Sequence, residues 1–139
     1  MKKVIMLIFI LSGVLTVSAQ SEIEQINKVL YDYIDGTANG EPERLKKAFH
    51  PDFNLYFVSK DTVRVWSGKQ YINNVKSGRK SNRIGKVVSI DYEGDAAIAR
   101  IEILMPERKR IYTDYLLLLK VDNSWKIIHK SFTFKNYPK

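Results

Sequence analysis

Asp114, His50 and His129 carry most of the proton chemistry open to this sequence near neutral pH. Asp114 stands two residues before Leu116–Leu119, and a carboxyl buried among apolar side chains has its charged form disfavoured, which suits general acid or base work. Pairing accounts for the same residue: a buried carboxylate is also satisfied by backbone donors, by Lys130 or by an arginine. The chain has two histidines, so any histidine-based proton transfer falls to His50 or His129. His50 precedes Pro51 and also reads as a helix stop with a favourable contact to the negative helix end. His129 lies in an alternating strand, where a half-buried structural role serves it equally. Asp114 and His50 are therefore the candidate acid and base.

Tyr33, Trp66, Tyr71 and Tyr112 offer flat apolar area with polar tips, which suits stacking on a heterocycle as well as ordinary core packing. With Asp114 and His129 to fix orientation, they are the candidate ligand-binding residues. No metal site is expected: there is no cysteine, no His-x-x-x-His or His-x-His, and Asp91…Asp95 lacks calcium-loop spacing. No serine stands in a nucleophile elbow, and phosphate-binding glycine loops and dinucleotide fingerprints are missing, so no cofactor is expected.

The elements that must position these residues follow from local signals. Ser21 and Glu24 form a capping-box pattern, and Ile23, Ile26, Leu30, Tyr33 and Ile34 follow as one helical stripe that weakens at Gly36 and Gly40. Pro42 opens a second helix through Phe49, closed by His50-Pro51-Asp52. Alternation marks short strands at Phe53–Phe57 and Val63–Val65, and a third helix is expected over Gly68–Ser77. Strands over Ile84–Tyr92 and Ala96–Met105 precede a closing hairpin, Tyr112–Val121 and Ser124–Phe134. An even-length turn places Asp114, Leu116 and Leu118 on one face with Trp125, Ile127 and His129. Tyr115, Leu117 and Leu119 then share the other face with Ile128, Lys130 and Phe132. Helices set apart from a run of strands make an α+β layer, with one sheet face against the helices. The other face, also apolar, predicts a shallow patch or a homodimer interface.

Lys2 and Lys3, the apolar run Val4–Val17 and the small residues before Gln20 form a signal-peptide pattern, with cleavage expected after Ala19. The run is too short to span a bilayer, so no stable membrane association is expected after cleavage. Residues 20–139 remain as one domain, exported to the periplasm or secreted, and free of disulfides. The formal charge of +8 becomes +6 in that domain, with 21 Lys and Arg against 15 Asp and Glu. The basic residues are scattered, apart from Arg79-Lys80…Arg83 and Arg108-Lys109-Arg110 in expected loops, so solvated loop charge is expected rather than a nucleic-acid surface.

The order of elements, Phe49-His50-Pro51 and Trp125-Lys126-Ile127 resemble the nuclear transport factor 2-like superfamily, a cystatin-like cone of curved antiparallel sheet around a long N-terminal helix. More narrowly, Tyr33…Gly36, Trp66-Ser67-Gly68, Tyr71-Ile72, Asp91…Gly94-Asp95-Ala96-Ala97 and Thr113-Asp114-Tyr115-Leu116 are similar to the secreted bacterial group named putative lumazine-binding proteins. The resemblance covers Glu22–Phe134. It implies a pocket between concave sheet and helices that takes a small apolar or aromatic molecule. It also keeps open an isomerase, dehydratase or cyclase: the superfamily's isomerases place a protonated Asp on a late strand as an oxyanion donor. A third reading is an interaction module using the outer face.

Overall fold

A computed structural model describes residues 20–137; the expected signal peptide, residues 1–19, lies outside the described residues. The capping box closes at Ser21, whose Oγ accepts from the Glu24 amide while Glu24 accepts from the Ser21 amide, and starts α1, Glu22–Asn39. Ile26, Leu30, Tyr33 and Ile34 are buried along it, but Ile23 in the first turn is 38% exposed and leaves the expected stripe. That turn is tied down by charge instead: Glu22 accepts from Lys120 Nζ at 2.6 Å and Trp125 Nε1 at 2.7 Å. α1 ends at Gly40, with φ 66°. A Cβ there would stand 2.5 to 2.7 Å from the backbone of Lys76 and Arg79, so only glycine lets the loop after α3 seat against this helix end.

α2, Pro42–Ala48, stops one residue earlier than expected, and β1, Phe49–Ser59, begins at once. The cause is local: Phe49 is already extended, and His50 before Pro51 is barred from the helical region. β2, Thr62–Ser67, leads into α3, Gly68–Asn73, which a second capping box, Ser67 with Gln70, initiates. α3 ends short of the expected Ser77; Asn73 and Asn74 are weak helix formers. β3, Ile84–Glu93, and β4, Ala96–Met105, are followed by a single 3-10 turn over Pro106–Arg108. β5, Arg110–Val121, and β6, Ser124–Asn136, complete the chain.

The six strands form one curved, unclosed sheet in the order β2-β1-β6-β5-β4-β3. The expected nuclear transport factor 2-like α+β cone is observed, with one correction to its sheet: β1 runs parallel to β6, whereas every other pairing is antiparallel. The helices cover the concave face, where Ile26, Leu30, Tyr33 and Ile34 of α1 share one buried core with Ala97, Ala99, Ile101 and Ile103 of β4 and Leu116 and Leu118 of β5.

The hairpin departs from its expected register. Asp122 and Asn123 both take positive φ, as a two-residue hairpin turn requires, and the count holds as far as Leu118 opposite Ile127. Leu117 then pairs with His129, leaving Ile128 as an extra residue. This bulge reverses the parity of all that follows on β6. Lys130 and Phe132 join Asp114 on the concave face, and His129 moves to the convex one. The expected faces of these three residues are thereby corrected.

Candidate functional site

The bulge brings a buried polar network together at the heart of the concave face. Asp114 is 1% exposed and Lys130 is 4% exposed, each contributed by a neighbouring strand. Lys130 Nζ lies 2.9 Å from Asp114 Oδ2 and also donates to the Tyr33 hydroxyl. Tyr33, from α1, donates to the same Asp114 oxygen at 2.5 Å. The Tyr71 hydroxyl of α3 reaches Tyr33 at 3.5 Å. Four elements thus meet in one hydrogen-bonded cluster, and the charge of Asp114 is matched by Lys130, the pairing its sequence context allowed. Burial, then the neighbouring Asp114 carboxylate, raises the Tyr33 phenol well above its ordinary value. The phenol is therefore held as a hydrogen-bond donor. Lys130 also lies 4.8 Å from the Tyr33 ring centre and 5.3 Å from that of Tyr71, so aromatic faces support its charge where water cannot.

Above this network opens a cavity of about 190 Å³. Trp66, Tyr71, Tyr112 and Phe132 give it aromatic walls, while Asp114, Lys130, Arg83 and Arg108 supply the charged groups. Trp66 is 40% exposed at its mouth. Burial opposes ionisation of Tyr112, but the guanidiniums of Arg110 and Arg108 outweigh it and hold that hydroxyl below its usual value. Such a mix of apolar wall and few convergent polar groups is typical of small-molecule sites, at a size below that of drug-sized pockets.

Of the residues singled out from sequence, Trp66, Tyr71, Tyr112 and Asp114 line this cavity and Tyr33 forms its polar floor. The histidines do not join them. His129 faces the convex side, stacked on Tyr56 with ring centres 5.1 Å apart and its Nε2 2.8 Å from Ser131 Oγ. His50 Nδ1 accepts from the Asp52 amide at 3.1 Å, at the start of β1. The expected pairing of Asp114 with a histidine as acid and base is not assembled. Lys130, named from sequence as a partner for Asp114, was assigned to the opposite face by the parity count, and sequence reasoning missed Arg83 and Arg108, taken as loop charge. The position of Arg83 directly before β3 was the available signal, since a strand's first side chains are fixed by the sheet. Among the described residues no group of histidine, aspartate and glutamate could hold a metal ion.

Comparisons with known proteins agree with this fold. The family model described as Putative lumazine-binding matches residues 21–133. The aldolase FrzH of a Cladobotryum species is 26% identical over 120 residues, which cover 86% of this chain and 94% of that one. Among solved structures, a nuclear transport factor 2-like protein of unknown function from Methylobacillus flagellatus KT is 28% identical, with a TM-score of 0.71 over 81% of this chain and 91% of that one. Another, from Shewanella baltica OS155, is 23% identical, with a TM-score of 0.72 over 87% and 100%. The aldolase shows that a chain of this kind can be an enzyme.

Proposed function

We propose that this chain, which belongs to the Putative lumazine-binding family of nuclear transport factor 2-like domains, holds a small planar heteroaromatic molecule in the cavity beneath Trp66. The observation that carries this reading is the convergence of aromatic walls on the buried Tyr33–Asp114–Lys130 network. Stacking supplies contact area, and the network supplies directional hydrogen bonds that would otherwise face an apolar enclosure. Lumazine, a flat bicycle rich in donors and acceptors, is a suitable probe. Titrating it into the protein is expected to quench the half-exposed Trp66, leaving the buried Trp125 unaffected. Trp66→Phe should remove the quenched component. No change in emission up to roughly millimolar lumazine would sink the reading, since weaker binding than that carries little free energy.

An enzymatic use of the same cavity is the second reading, supported by the aldolase relative. With both histidines elsewhere, proton transfer there would fall to Asp114, Tyr33 and Lys130.

We further propose export, on the pattern of residues 1–19, and homodimerisation through the convex face. That face carries a depression of about 430 Å³ bordered by Ile98, Tyr115, Leu117 and His129. Ile98 is 57% exposed and Tyr115 is 52% exposed, an unusual apolar display for a monomer. Native mass spectrometry of the full chain, expressed with export intact, is expected to find a species starting at Gln20 and assembled in pairs. An uncleaved chain would refute export, and a strict monomer at high concentration would refute the dimer.

A further inference from the structure

A second concavity, of about 280 Å³, lies beyond Arg83, Met105 and Arg108, which border it and the aromatic cavity alike. Its charge is one-sided: Lys76, Arg79, Lys80, Arg83 and Arg108 line it against Glu107 alone. None of the five forms an ion pair among the described residues, although Arg44 meets Asp32, Asp35 and Glu41, and Lys130 meets Asp114. Converging unpaired cations repel one another, an arrangement that an anion relieves.

Two further observations point the same way. Ser81 Oγ and Arg83 Nε are the buried side-chain polar atoms left without a partner among the described residues, and both belong to this trough. A buried polar atom of this kind destabilises the fold unless something bonds to it. The loop that carries them is also fixed rather than free. The Gly78 amide donates to Gly40 O and the Ser81 amide to Ala38 O, both at 2.8 Å, and Gly40 admits the loop's backbone at close range. The basic side chains are therefore presented from a loop pinned to the end of α1.

We propose that the ligand is bipartite: its ring occupies the aromatic cavity, and a phosphate monoester or similar dianionic tail lies in the basic trough, with Arg83 and Arg108 at the junction. This rests on the cavity reading above and names the ligand class as a phosphorylated heteroaromatic. A dianion would receive charge-assisted bonds from the guanidiniums and a donor from Ser81. The neutral ring alone would leave the trough unoccupied.

Pyridoxine, pyridoxine 5′-phosphate and inorganic phosphate separate the parts by isothermal titration at low ionic strength. The ester is expected to bind at least about ten-fold more tightly than pyridoxine, an advantage that added salt erodes. The exposed pair Arg79→Ser and Lys80→Ser should shrink this preference severalfold without changing the affinity for pyridoxine. Equal affinity for ester and pyridoxine would overturn the anion site and leave the cavity reading standing. Equal affinity for ester and inorganic phosphate, with none for pyridoxine, would instead overturn the cavity reading and with it the joined site. A phosphate preference that survives the double variant would place the anion elsewhere and also overturn the proposal.

Discussion

Lys130→Met is expected to lower the unfolding free energy by about 3–5 kcal/mol, because it leaves the Asp114 carboxylate buried with its counter-charge removed. Methionine fills much of the lysine stem's volume, so the loss is electrostatic rather than a cavity effect. The partner substitution checks this. Asp114→Leu combined with Lys130→Met removes both charges and should recover most of the lost stability, since an apolar pair avoids the cost of desolvating two ions. Urea unfolding of the single and double variants measures both effects. If the double variant is no more stable than Lys130→Met alone, the ion pair is not the source of the loss. The double variant also tests function: folded but without the polar floor of the cavity, it should give no lumazine quenching.

The elements of this fold were legible because their signals are local. Ser21 with Glu24, Pro42, His50-Pro51 and the alternation of β3 to β6 each act within a few residues, and the structure follows them closely. The cavity was less legible, for two physical reasons. Face assignment on β6 depends on counting from the turn, and one extra residue at Ile128 inverts every assignment beyond it. Nothing in Ile127-Ile128-His129 announces that bulge; it is selected by how a curved sheet closes over α1, a property of the whole layer. Asp114 was therefore recognised while its partner Lys130 was placed on the wrong side and His129 on the right one in error. The second reason is convergence. Arg83 and Arg108 come from connections that flank β3 and β4, and only the antiparallel return of those strands brings them to one junction.

That junction changes the meaning of the chain's basic surplus. Arg79, Lys80, Arg83 and Arg108 read as solvated loop charge when each cluster is taken alone. Folded, they stand on two connections facing one trough, and a surplus spread thinly along the sequence becomes a local concentration of positive charge. Beneath the cavity, by contrast, the charges of Asp114 and Lys130 cancel as a pair. The site is thus divided into an aromatic part suited to a ring and a cationic part suited to an anion, with Arg83 and Arg108 bordering both.

Tyr33→Phe is expected to cost about 1.5–3 kcal/mol, because the phenol serves two charged partners at once, donating to Asp114 and accepting from Lys130. Phenylalanine keeps the ring against Phe49 and Tyr71, whose ring centres lie 5.5 and 6.5 Å away, so the hydroxyl alone is removed. The substitution should also change the alkaline limit of stability. Burial and Asp114 hold the folded phenol well above its ordinary value, so the folded state retains this proton where the unfolded chain has released it. The associated stabilisation is complete below the unfolded value, near 10, and is lost progressively as pH rises above it towards the raised folded value. Urea midpoints at about pH 8 and pH 10.5 should therefore fall further in the parent than in Tyr33→Phe. The exposed tyrosines ionise alike in both proteins and cancel in that difference. Equal losses in the two would mean that Tyr33 does not set the alkaline limit, and that its hydroxyl matters to the cavity through hydrogen bonding alone.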